Sequence, residues 1–247
     1  MAIFKGAGVA IVTPMYDNEE VNYDKLEELI NWQIDEGTDS IVICGTTGES
    51  STLTMEEHRK VIKAAVDFTK HRVPVVAGTG SNSTRTAIQH AQEAEEDGAD
   101  GLLIVTPYYN KASQAGLIKH YSEIADNTKL PIILYNVPGR TGLNIPVSVY
   151  EAISKIPNIA GVKEASKDIT KITHICRECK NFSVWSGNDD LIVPSISLGA
   201  NGVISVLSNI FSEIIQHFSR EFNCLIRNPF FLYASNSVNI RTQGGTE

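Results

Sequence analysis

Eight short apolar runs recur along the chain, separated by stretches with helical period. They are GVAIVTP (8–14), SIVICG (40–45), VPVVAGTG (73–80), GLLIVTP (101–107), LPIILYNV (130–137), IAGVKEAS (159–166), FSVWSGND (182–189) and GVISVL (202–207). Nearly unbroken apolar character over so short a length marks parallel strands covered on both faces. Between them, 23–36 places Leu26, Leu29, Ile30 and Ile34 on one helical face, and 54–70 does the same with Val61, Ile62, Ala65, Val66 and Phe68. Thr54 and Glu57 form a capping-box pattern at the start of the second helix. Further helices are expected over 84–97, 114–126, 146–156, 168–179 and 212–222, with Ser113 and Asp168 as N-caps and Pro146 in a first turn.

Strand and helix alternating eight times is the order of a (β/α)8 barrel, an α/β fold with a parallel eight-stranded sheet. The chain's 247 residues suit one such domain. A doubly wound open sheet is the competing arrangement, but it usually carries a glycine-rich phosphate fingerprint after its first strand. Here that strand ends in Thr13-Pro14. The barrel is expected over 1–222. Residues 223–247 form an atypical tail that lacks clear period, is expected to be partly disordered, and carries Phe230, Phe231 and Leu232.

A net charge of -8 argues against nucleic acid or an anionic membrane as the main partner, since both select basic faces. No apolar stretch approaches membrane-spanning length, and the opening residues lack a leader pattern, so a cytoplasmic location is expected. The four cysteines do not suggest a disulfide framework in a chain of this size. Cys176 and Cys179, near His174, have the spacing of a half metal site. No second ligand pair follows, so two helix residues one turn apart is the favoured reading and no metal is expected.

In a barrel of this kind chemistry gathers where the strands end. Those ends read G-T-T-G-E (45–49), T-P-Y-Y-N (106–110), Y-N-V-P-G-R-T (135–141), V-K-E-A-S (162–166) and S-G-N-D-D (186–190). Lys163 is the sharpest signal among them, because it interrupts a buried apolar run. Such a lysine either pairs, here with Glu164 as the candidate partner, or gives up its proton and becomes a nucleophile toward a carbonyl. Tyr109 and Tyr135 could relay protons with Thr46 or Thr47, although buried tyrosines more often serve packing. Arg140, on the loop after the fifth strand, is suited to a bidentate carboxylate contact; a solvated loop arginine is the plainer alternative. Asp189 and Asp190 read as a loop or helix start rather than a metal pair, and the six histidines show no ligand pairing; His58 is expected to be solvated or satisfied.

Taken together and in order, G-T-T-G-E-S, A-G-T-G-S-N, T-P-Y-Y-N, Y-N-V-P-G-R-T and V-K-E-A-S resemble the dihydrodipicolinate synthase family of pyruvate-dependent lyases over roughly residues 1–210. The resemblance implies condensation of pyruvate with L-aspartate-4-semialdehyde through an imine on Lys163, without a cofactor. It implies a proton relay of Tyr135, Thr46 and Tyr109, with Tyr109 donated to a neighbouring subunit. Thr47 would contact the pyruvate carboxylate, Arg140 would receive the aldehyde substrate, and Gly187 and Ile204 would line the pocket. It further implies self-association as a dimer or tetramer and an effector site at Ser50, Ser51, His58, Asn82 and Tyr108. Met55 and Thr86 stand where lysine-inhibited relatives carry His and Glu. The family's C-terminal helical domain is expected to be largely missing. Sister aldolases such as N-acetylneuraminate lyase share Lys163 and Tyr135 and are the alternative activity; a poorly active remnant is the other.

Overall fold

A computed structural model describes residues 2–227. Eight parallel strands close into a barrel in sequence order: β1 (Gly6–Ala10), β2 (Ser40–Ile43), β3 (Val75–Gly78), β4 (Gly101–Val105), β5 (Ile132–Asn136), β6 (Ile159–Glu164), β7 (Ser183–Ser186) and β8 (Gly202–Ser205). All eight fall inside or against the apolar runs read from sequence, trimmed at the ends where chemistry-bearing residues leave the sheet.

The helices are α1 (Tyr23–Asp35), α2 (Met55–Thr69), α3 (Thr84–Glu96), α4 (Gln114–Ala125), α5 (Pro138–Thr141), α6 (Val147–Ile153), α7 (Ile169–Glu178), α8 (Ile192–Ser197) and α9 (Ser212–Arg227). Thr54 accepts from the Glu57 N–H while the Glu57 carboxylate accepts from the Thr54 N–H, completing the capping box. Ser113 and Asp168 cap α4 and α7 as expected. Two helices escaped the sequence reading. α5 is a single turn, and α8, with Pro194 and two serines in six residues, lacks a repeating apolar stripe. α9 passes the expected boundary at 222 and runs to Arg227; residues beyond it, Phe230, Phe231 and Leu232 included, lie outside the described residues. Leu207, Ile210, Phe211, Ile214 and Phe218 leave an exposed apolar face along the start of α9 and the turn before it.

Two layers of core follow from strand alternation. Outward residues such as Val9, Ile41, Leu102, Leu134 and Val162 pack under the helices. Inward residues Ala10, Val42, Val76, Leu103, Ile133, Tyr135, Trp185 and Ile204 fill the barrel, and Phe4 stacks on Trp185 at 5.1 Å to close its floor. Glycines thin the upper interior. A Cβ at Gly78 would stand 2.0 Å from the Cys44 carbonyl oxygen, so only glycine fits there.

One irregularity decides the site. The β5–β6 register shifts between Ile132 and Ile133, so that Ile132 faces Ile159 but Ile133 faces Gly161. Ala160 is thus the extra residue of a bulge. Beyond it Tyr135 lies opposite Lys163, and Asn136 opposite Glu164. Tyr135 belongs to the interior layer, so Lys163 opposite it shares that layer and Glu164, one residue on, faces the helices.

There Glu164, 1% exposed, is fully engaged. Its carboxylate accepts from Asn136 Nδ2 at 2.8 and 3.0 Å, Tyr150 Oη at 2.9 Å and the Ser166 N–H at 2.9 Å. Asn144 extends the network to Asn136 and to Lys171, whose ammonium also donates to the Ile145 carbonyl. Glu164→Ala would strand several buried donors together. It should destabilise the protein by about 3 kcal/mol or more, measured by urea denaturation; a change within experimental error would contradict this account of the network.

Candidate active site

Lys163 is 4% exposed, and its Nζ sits 4.7 Å from the centroid of the Tyr135 ring. Its stem lies against the backbone after β7: a Cβ at Gly187 would fall 3.1 Å from Lys163 Cε. The expected alternative of pairing with Glu164 fails, because consecutive strand residues point to opposite faces and Glu164 is satisfied on the far side. Burial pushes the Lys163 ammonium down to about 8; Asp189 opposes that shift and Arg140 adds to it.

Tyr135 is buried in the same cavity wall as Thr46. Burial raises its pKa, while the neighbouring Thr46 hydroxyl and Arg140 pull the other way. Thr46 and Thr47 lie on the turn after β2, anchored by Thr13 Oγ1 donating to the Gly48 carbonyl at 2.7 Å. Arg140 rides on α5, whose N–H groups return to the Val137 carbonyl, and Thr141 Oγ1 closes the loop onto Val137 and Leu143. Tyr109 follows β4 with φ +72 and is 89% exposed, projecting away from the barrel. Cys44, Glu49, Tyr109, Lys111 and Lys167 all carry positive φ on loops leaving strand ends, a concentration of backbone strain at the chemical end of the barrel.

A cavity of about 440 Å3 opens at this end. Tyr135, Thr46 and Arg140 line it together with Ser50, Ser51, Met55, His58, Thr86, His90 and Tyr108. Lys163 is not among the lining residues; its Nζ lies 4.7 Å from the centroid of the Tyr135 ring, which is. Thr47, Tyr109, Gly187 and Ile204 are not part of the lining; Gly187 supports the Lys163 stem and Ile204 belongs to the interior core. Asn82 stands apart too, its carbonyl accepting from Asn110 Nδ2.

His58 is not solvated. It is 5% exposed, its Nε2 lies 2.8 Å from the Gly78 carbonyl, and its ring stacks on His90 at 4.6 Å. Sequence spacing could not disclose that pair, since α2 and α3 bring the rings together. Asp189 begins a 3-10 turn and its Oδ2 accepts from Val206 and Leu207 N–H. Cys176 and Cys179 are free thiols at the end of α7, and among the described residues no three His, Cys, Asp or Glu side chains converge as a metal site. Among those residues, no helix is long and apolar enough to cross a membrane.

Residues 3–224 match the dihydrodipicolinate synthetase family. The chain belongs to this family. It is 58% identical over 212 residues to the 4-hydroxy-tetrahydrodipicolinate synthase of Lachnoclostridium phytofermentans, covering 85% of this chain and 72% of that protein. The synthase of Acetivibrio thermocellus is 55% identical over 212 residues, with the same coverage of 85% and 72%. Among solved structures, the chloride-inhibited dihydrodipicolinate synthase from Acinetobacter baumannii complexed with pyruvate is similar at a TM-score of 0.88 and 43% identity, covering 94% of this chain and 80% of that one.

The lowered lysine pKa gives a pH signature. The folded value lies below the ordinary 10.5, so the unfolded chain holds this proton through the window in which the folded chain has lost it. Lys163 therefore contributes stability that grows as pH rises from about 8 toward 10.5. Competitive amine labelling, read peptide by peptide, should show Lys163 titrating near pH 8, well below the ordinary lysine value. A Lys163 midpoint near 10.5 would contradict it.

Proposed function

We propose that the chain condenses pyruvate with L-aspartate-4-semialdehyde, the reaction of a 4-hydroxy-tetrahydrodipicolinate synthase in lysine and diaminopimelate biosynthesis. The observation that carries this reading is the desolvated Lys163 facing Tyr135 inside the barrel, in a chain whose relatives of 50–58% identity bear that synthase name. That agreement favours the synthase over a sister aldolase.

The Lys163 amine attacks C2 of pyruvate. The carbinolamine loses its hydroxyl as water, leaving an imine that draws electrons from the methyl carbon. A methyl proton departs, and the resulting enamine attacks the aldehyde carbon, whose oxygen takes a proton to become a hydroxyl. The amine of the semialdehyde then adds to the imine carbon, expels Lys163 and closes the ring. Tyr135 and Thr46, which line the same cavity, carry protons between these steps, because each step moves one to or from nitrogen or oxygen. Thr47 offers a contact for the pyruvate carboxylate. Arg140 receives the carboxylate of the semialdehyde.

Tyr109 completes the relay in a neighbouring copy. Its exposure of 89% on a strained backbone supports a side chain presented outward rather than to its own barrel, and implies a working dimer or tetramer. Ser50, Ser51, His58 and Tyr108 form the effector end of the cavity; Asn82, which does not line it, would have to join them when an effector binds. Met55 and Thr86 bring no carboxylate there for an effector's ammonium, so feedback by L-lysine is weak. The reading places the enzyme in the cytoplasm.

Pyruvate with borohydride should add one pyruvate-derived mass, mapping to the peptide that holds Lys163, and Lys163→Ala should abolish it. An adduct on another lysine of folded protein would overturn the assignment. Arg140→Ala should leave that adduct in place while lowering kcat/KM for the semialdehyde by about ten- to a hundredfold, the equivalent of one charge-assisted bidentate contact. Equal losses for trapping and semialdehyde use would refute the role given to Arg140.

A further inference from the structure

Asp189 is half-buried, yet one of its carboxylate oxygens is wholly enclosed. Glu164 has a donor for each of its oxygens, whereas Asp189 is satisfied on one side only. Oδ2 accepts from the Val206 and Leu207 N–H groups, both at 3.1 Å, which ties the end of β7 to the end of β8. Oδ1 is fully buried, and no protein group donates to it. A buried carboxylate oxygen left without a donor is costly and calls for a reason. Two residues before the turn that carries Asp189, Gly187 lies against the Lys163 stem. Asp189 is also within electrostatic reach of Lys163.

We infer that Asp189 is a positioning residue for the reaction, holding a fixed negative charge toward the Lys163 nitrogen so that it can become cationic inside the barrel. This rests on the imine chemistry proposed for Lys163. The charges that act on that nitrogen are Arg140 from the loop after β5 and Asp189 from the turn after β7, with the Tyr135 ring beside it. Arg140 opposes positive charge there. Asp189 therefore supplies the countercharge. The need is greatest when the carbinolamine collapses. The C2–oxygen bond breaks, the hydroxyl leaves as water with one added proton, and the nitrogen lone pair forms the C2–N double bond, leaving nitrogen positive. A carboxylate locked by two backbone N–H groups needs no reorganisation to meet that charge.

Asp189→Asn separates charge from shape, because its amide oxygen still accepts from Val206 and Leu207. Without the carboxylate the lysine ammonium is less stable, so the pH midpoint for pyruvate trapping should move down by about one unit. The plateau rate of trapping above that midpoint should nevertheless fall about tenfold or more, because the cationic imine has lost its countercharge. Simple loosening of the turn would lower the rate without moving the midpoint. Asp189→Ser, which keeps an acceptor without the charge, gives the same reading if the amide variant does not fold. Asp190→Asn is the control: Asp190 is exposed, pairs with Lys167 at 3.4 Å, and should leave both quantities unchanged. An unmoved midpoint in Asp189→Asn, with wild-type protein trapped normally at Lys163, overturns the role of Asp189 alone. No adduct on Lys163 in the wild-type protein overturns it together with the proposed reaction.

Discussion

A lysine nitrogen enclosed by a barrel wall can keep its proton only where other charges compensate for lost water. Lys163 is held in that condition, and much of the upper barrel bears on it. The Tyr135 ring lies beside the nitrogen, Gly187 leaves room for the stem, Arg140 pushes against the charged form and Asp189 supports it. The balance leaves a group whose protonation midpoint is brought down to about 8, where an amine can attack a carbonyl and still become cationic afterwards.

That balance depends on strand register. The bulge at Ala160 turns Lys163 inward and Glu164 outward, so two adjacent ionisable residues have opposite fates. Glu164 is fixed by Asn136, Tyr150 and Ser166, and Asn136 in turn holds the Asn144–Ile145 segment that closes the Arg140 loop. The outer network therefore steadies three parts of the inner site: the strand bearing Lys163, the strand bearing Tyr135 and the loop bearing Arg140. A single neutral substitution at Glu164 would be felt on both sides of the sheet.

The strands and the long helices were legible in sequence because burial on two faces and amphipathic period leave direct patterns. Lys163 was legible for the same reason, as a charge interrupting one of those patterns. The neighbours that matter most were not. The bulge depends on pairing between β5 and β6, and alternation read along β6 alone does not reveal it. The His58–His90 stack and the Asp189 contacts to β8 join residues distant in sequence whose spacing carries no signal. α8 was missed because its few turns have no stripe to read. Thr46, Thr47 and Arg140 were singled out through the motifs around them; Thr46 and Arg140 line the cavity with Tyr135, and Thr47 does not.

The central claim is that the Lys163 nitrogen bonds covalently to the carbonyl carbon of a small keto acid. A crystal structure of the protein grown with pyruvate, unreduced, tests it most directly. The account predicts continuous density from Lys163 Nζ to C2 of pyruvate, with the carboxylate turned toward the Thr46–Thr47 turn. Pyruvate bound intact and detached from Lys163, or joined to a different lysine, would contradict it.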